Sequence, residues 1–150
     1  MGDDDGRCGN SEDTQFITSL QWIAEGYNKV INKLNAIAHP YVVFGNEGFK
    51  PGWTTFGPWE YGIEPLSLVA VVYGGDKLIC GVWGDEPGDD GDRPIADEAS
   101  ILLVTACFGT GMNGNNGHDD DDLLCIAFHG SDAVRGADGA DWGTYSYGDF

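Results

Sequence analysis

Basic residues are scarce in this chain: 7 Lys and Arg stand against 25 Asp and Glu in 150 residues, a formal net charge of −18. A surface this negative repels a phosphate backbone, so nucleic acid is not expected as a partner. Long apolar runs are missing too. None reaches the ~18 residues that a membrane-crossing helix needs, so no membrane partner is expected either. The four cysteines, Cys8, Cys80, Cys107 and Cys125, contain no Cys-x-x-Cys pair. That removes the usual zinc frameworks, and neither a metal nor another cofactor is expected. The opening residues Met1-Gly2-Asp3-Asp4-Asp5 have neither the basic nor the apolar region of a secretory signal. Position 6 is Gly rather than Ser or Thr, so Gly2 opens no myristoylation site. No Asn-x-Ser/Thr triplet occurs, and N-glycosylation is not expected.

What is there suits one domain with a sizeable core. Residues 1 to 13 are Gly/Asp-rich and read as an irregular lead-in. From Asp13, a good cap, apolar residues at Phe16, Leu20, Ile23, Tyr27, Val30, Ile31 and Leu34 follow helical spacing. Gly26 costs roughly 1 kcal/mol inside a helix, which leaves one helix or two shorter ones open. His39-Pro40 ends the element. Strands are expected at Tyr41–Phe44, Leu66–Tyr73, Lys77–Trp83 and Leu123–Phe128, the middle two joined as a hairpin by Gly74-Gly75-Asp76. A second helix is expected from Glu98 to Phe108, with Asp97 before it as cap and Gly109 after it as stop. The fold class is α+β, mainly β: a compact barrel-like or mixed sheet with two helices.

The loop from Gly45 to Gly62 carries Trp53, Phe56, Trp59 and Tyr61 among Gly and Pro. Such aromatics either stack on a ligand or tether the loop to the core. Gly109-x-Gly111-x-x-Gly114 resembles a dinucleotide fingerprint. It is followed by Asn, Gly, His118 and four Asp instead of an amphipathic helix, so it reads as a Gly-rich loop. The acidic runs Asp89, Asp90, Asp92 and His118 to Asp122 lack the Gly and Glu of a calcium loop. A solvated turn is the commoner fate of such runs; a cationic ligand is the functional alternative. Cys80 and Cys125 fall inside expected strands, where a cross-strand bridge and two buried thiols are both open. His39 and His129 flank strands and read as structural.

The stretch from Lys77 to Gly109 organises the rest. An apolar run ends in Trp83, an acidic Gly/Pro/Asp loop follows, and a second apolar run is opened by Glu98. Trp83 and Asp85 share one face of the expected strand, because strand side chains alternate. Asp85 and Glu98 then stand at the ends of two ordered elements across a loop. Two carboxylates held apart in this way are what glycosidic hydrolysis requires, an acid and a base on opposite sides of the bond.

Gly81-Val82-Trp83-Gly84-Asp85 and Glu98-Ala99-Ser100 resemble the signature of the fungal chitosanases of glycoside hydrolase family 75. The resemblance continues at His39 to Asn46, Pro65 to Val72, Thr105 to Gly109, Asn113 to Asp119 and Ile126 to Val134, covering most of positions 39 to 142. It implies a single chitosanase-like catalytic domain over residues 1–150, shortened at both ends. It further implies a secreted, extracellular protein acting on chitosan, and a monomer. Asp85 and Glu98 coincide with the acidic pair on which the family's activity depends. They are the catalytic candidates in an inverting reaction: a helix N-terminus favours Glu98 as base, its acidic neighbours such as Asp97 favour it as acid, and of the two Glu98 as acid with Asp85 as base is the assignment taken. Trp83, Asp89, Asp90 and Asp119 are the candidate substrate-binding residues, the last three for the ammonium groups of glucosamine. The family has Gly where Asp97 stands, a local departure beside Glu98. A non-catalytic acidic module that binds a cationic polysaccharide, or an inactive shortened form of the enzyme, is the alternative.

Overall fold

The computed structural model describes residues 6–7, 18–29, 33–46, 51–53, 55–87, 97–118, 120–144 and 150. Five strands form one mixed sheet in the order β4-β1-β3-β2-β5. They are β1 (Tyr41–Phe44), β2 (Leu68–Tyr73), β3 (Lys77–Asp85), β4 (Asp97–Ala99) and β5 (Leu124–Ala127). Two helices, α1 (Gln21–Gly26) and α2 (Ile101–Phe108), and a short 3-10 turn at Pro58–Tyr61 accompany them. The mainly-β α+β class with two helices is what the sequence pattern anticipates.

The centre is the β2–β3 hairpin, paired from Leu68↔Val82 to Tyr73↔Lys77. Gly74 and Gly75 turn it at φ 58° and 82°, left-handed angles that favour glycine over any residue with a Cβ. β1 runs parallel to β3 on one side, and β5 runs antiparallel to β2 on the other. Because β1 and β3 are buried on both faces, their sequences are continuous apolar runs rather than alternating ones. One face packs Val42, Val69, Val71, Ile79 and Trp83 beneath Leu103 of α2 and Leu20 ahead of α1. The opposite face packs Tyr41, Val82, Leu34 and Leu66 around Trp142. Trp142, in the Gly/Asp-rich tail, is 2% exposed, and its indole N–H donates to the Gly136 carbonyl. β5 and the residue after it present an outer row of Leu124, Ile126 and Phe128, all exposed.

Several expectations are corrected. Of the single long helix and the two shorter ones that the N-terminal spacing left open, the described residues exclude the long one: α1 stops at Gly26, and Asn28 follows at φ 54°, while Phe16, Val30 and Ile31 lie outside the described residues. A residue in that left-handed conformation cannot carry a helix onward. The second helix begins at Ile101 rather than Glu98. Its cap is Ser100, whose Oγ accepts from the Leu103 N–H, while residues 97–99 are drawn into β4 against β1. Gly109 ends it as expected, its N–H donating to the Thr105 carbonyl. Cys80 and Cys125 do not bridge, because β2 lies between their strands, with Ala70 opposite Cys80 and Val71 opposite Cys125. Cys8 lies outside the described residues. After Gly114 the chain makes an Asn113–Asn116 bridge, not a helix, so the Gly-rich stretch is a loop. His39 is structural: it is buried, its Nδ1 accepts from the Asn35 N–H, and its Nε2 meets the Trp142 carbonyl. No described helix is long and apolar enough to cross a membrane.

Candidate active site

β1 brings the two candidate carboxylates together. Along it, Val42 faces Trp83 and Val43 faces Asp85, skipping Gly84, which marks a bulge between these pairs. On its other side Val43 faces Glu98. Asp85 and Glu98 are therefore partners of the same residue, one strand to either side. Without the skipped residue Glu98 would share its rank with Gly84 instead, a re-aiming that bulges commonly perform. Two strand spacings set their backbones roughly 9–10 Å apart. Gly84 is the residue the bulge requires to be small: a Cβ there would lie 2.7 Å from both Tyr41 Cβ and Leu34 Cδ1.

The two carboxyls sit in different surroundings. Asp85 is half-buried, and its Oδ1 accepts from the Ser19 N–H at 2.7 Å, the Ser19 hydroxyl at 2.8 Å and the Glu86 N–H at 2.9 Å. Three donors on one oxygen are the company of an ionised carboxylate. Glu98 is exposed. Ser100, two residues on, anchors its strand: Ser100 N–H donates to the Tyr41 carbonyl, and Tyr41 N–H donates to Ser100 Oγ.

Trp83, a candidate for substrate binding, is not at the surface. Its ring is fully buried in the core, and its indole N–H donates to the Asp85 carbonyl at 2.8 Å, bracing the strand end instead. Trp59, on the 3-10 turn, does face outward, 53% exposed and at 70° to the Trp83 ring with 5.2 Å between centroids. Its Nε1–H donates to Glu86 Oε1 at 3.3 Å. Phe56 and Tyr61, tilted at 38° with 5.5 Å between ring centroids, continue the aromatic loop. Asp89, Asp90 and Asp119 lie outside the described residues. His118 gives its Nε2 to Asp122 Oδ1 at 2.6 Å and stacks on Phe108, with 3.9 Å between ring centroids. Among the described residues no three His, Cys, Asp or Glu side chains converge as metal ligands do. A surface cavity of about 370 Å³ beside Lys29, Asp138 and Trp142 shares no residue with the carboxylate pair.

Ser19 and Glu86 were not singled out by the sequence pattern. Ser19 is 66 positions from Asp85 and has no motif to mark it. Glu86 adjoins Asp85 and could have been found by treating the turn after β3 as part of the site.

The arrangement is that of a site with paired carboxylates at one rim of a mixed sheet. The model of the family described as fungal chitosanase of glycosyl hydrolase group 75 matches residues 1–150. Over 146 residues the chain is 40% identical to endo-chitosanase B of Aspergillus oryzae, covering 97% of this chain and 56% of that protein. Over 133 residues it is 41% identical to an endo-chitosanase of Aspergillus fumigatus, covering 88% and 52%. The chain thus belongs to the fungal chitosanase family, glycosyl hydrolase group 75. It spans about half the length of the curated relatives it matches. No solved structure matches it.

Proposed function

We propose that the chain carries the catalytic site of an endo-acting chitosanase that hydrolyses β-1,4 links between glucosamine units with inversion. The observation that carries this reading is the common rank of Asp85 and Glu98 about Val43, in a chain of this family. Inverting hydrolysis needs its carboxyls about 6.5–9.5 Å apart, with room for a water between base and sugar. A backbone span of roughly two strand spacings accommodates that separation. The donors around Asp85 suit the base, which must be ionised to take a proton from water. Glu98, across β1 from Asp85 and exposed, is the acid that protonates the leaving oxygen. Water attacks the anomeric carbon on the face opposite the departing sugar, and the proton that Asp85 takes balances the one that Glu98 gives. The net charge of −18 favours a polymer that carries an ammonium on each unit. The reading includes an extracellular, monomeric enzyme.

The test is release of reducing ends from chitosan by the purified chain, with chitin and cellulose as controls. The proposal expects release from chitosan well above both. Binding of chitosan without release would instead support an acidic polysaccharide-binding module.

A further inference from the structure

We propose that Ser19 is a positioning residue for the reaction, one that keeps Asp85 ionised and holds it in place at the end of β3. This rests on the reading of Asp85 as base and Glu98 as acid, and names a residue that helps to set their roles apart.

Asp85 has acidic neighbours. Glu86 follows it in the chain and Glu98 lies across β1, and like charges close together each favour the protonated form of the others. A base must nonetheless be ionised before it can take a proton from water. Ser19 supplies donors where that charge sits. Its N–H reaches Asp85 Oδ1 at 2.7 Å, and its hydroxyl reaches the same oxygen at 2.8 Å. The hydroxyl is also aimed, because Ser19 Oγ accepts from the Glu86 N–H at 3.2 Å and turns its own proton towards Asp85. A hydrogen bond to an ionised carboxylate is roughly twice as strong as one to a neutral group, so this contact favours the charged form.

The fold holds Ser19 there without asking it to fill space. Thr18 and Leu20, on either side, are buried, while Ser19 itself is exposed. Leu20 belongs to the same core cluster as Trp83, which lies two residues before Asp85 in β3. The Gln21 N–H donates to the Thr18 carbonyl and the Ile23 N–H to the Leu20 carbonyl, closing the turn that leads into α1. Ser19 is thus anchored through its neighbours and presents two donors to one carboxylate oxygen. A reacting group held by contacts of this kind keeps its geometry through the reaction.

The test compares Ser19→Ala, which removes the hydroxyl and keeps the N–H, with Ser19→Thr, which keeps both. One readout is the titration of the Asp85 carboxyl carbon by NMR; the other is the pH profile for hydrolysis of a glucosamine hexamer. Ser19→Ala should raise the Asp85 midpoint by about half to one pH unit and move the acid limb of kcat/KM upward with it. It should also lower kcat about tenfold with KM within about twofold. Ser19→Thr should recover most of each change. A merely structural serine would lower the melting temperature and leave the midpoint and the limb in place. An unmoved midpoint in Ser19→Ala protein that circular dichroism shows to be folded would overturn the proposal. If the wild-type chain does not hydrolyse chitosan yet the midpoint moves, the hold of Ser19 on Asp85 stands and the hydrolytic reading falls. If chitosan is hydrolysed and neither midpoint nor limb moves, the role of Ser19 alone falls.

Discussion

Gly84→Ala tests whether the bulge between β1 and β3 is what aligns the site. A Cβ at this position would meet Tyr41 Cβ and Leu34 Cδ1 at 2.7 Å and Tyr41 Cγ at 2.9 Å. The Leu34 methyl can turn away. Tyr41 Cβ cannot, because it is one bond from the β1 backbone, and Tyr41 is paired with Val82 in the ladder. Inserting one carbon into such packing costs about 1–3 kcal/mol. The loss of backbone freedom in the unfolded chain returns about 0.4–1 kcal/mol. The net expectation is a loss of about 1–2 kcal/mol, or about 2–8 °C in Tm for a chain of this size. Urea denaturation should show a lower midpoint with an unchanged m-value. Gly111→Ala is the control: nothing lies within 4 Å of its Cβ, so it should stay within about 0.5 kcal/mol. Activity should fall further than stability, since a displacement of order 1 Å at a reacting group can cost about a hundredfold. A Gly84→Ala protein with unchanged midpoint and turnover would refute the packing argument and the bulge's role in placing Asp85.

Three further outcomes are expected. Proton NMR of the first product should show the α-anomer, as inversion of a β-link requires; an initial β-anomer would mean retention and carboxyls about 5–5.5 Å apart. The apparent KM for chitosan should rise steeply from 0.1 to 1 M salt, as the Debye length falls from ~10 to ~3 Å; a flat response would leave the acidity without a part in capture. Burial holds His39 below its ordinary pKa, because the charged ring would lose its water. The unfolded chain therefore binds the proton more readily, and this contribution to stability is complete above about pH 6.5 and lost as pH falls through the folded value. Denaturation midpoints should fall between pH 7 and 5, and His39→Gln should flatten that part of the profile.

Strands with a local signature were legible. Tyr41–Phe44 is an unbroken β-branched and aromatic run between Pro and Gly, and the hairpin announces itself in Gly74-Gly75. What depended on distant partners was not. Residues 97–99 look like a helix cap in isolation and become a strand only because β1 has an edge to fill. The apolar spacing through Leu34 suggests a long helix, yet Leu34 packs on the far face of the sheet with Trp142, from a tail with no strand or helix pattern. At the site, Asp85 and Glu98 could be named from their flanks, but the bulge that ranks them about Val43 could not. The same limit separates the two tryptophans. Trp83 lies in a strand that proves to be central and is buried, while Trp59, read as either platform or tether, is the one left facing solvent.

The central claim is that Asp85 and Glu98 act as a unit. The most direct measurement is turnover of chitosan by Asp85→Asn and Glu98→Gln, with circular dichroism to show that each keeps its fold. Both substitutions remove the proton chemistry while keeping side-chain size, and each should lower turnover by about three orders of magnitude or more. A folded variant of either kind that keeps more than about a tenth of the wild-type rate would contradict the account.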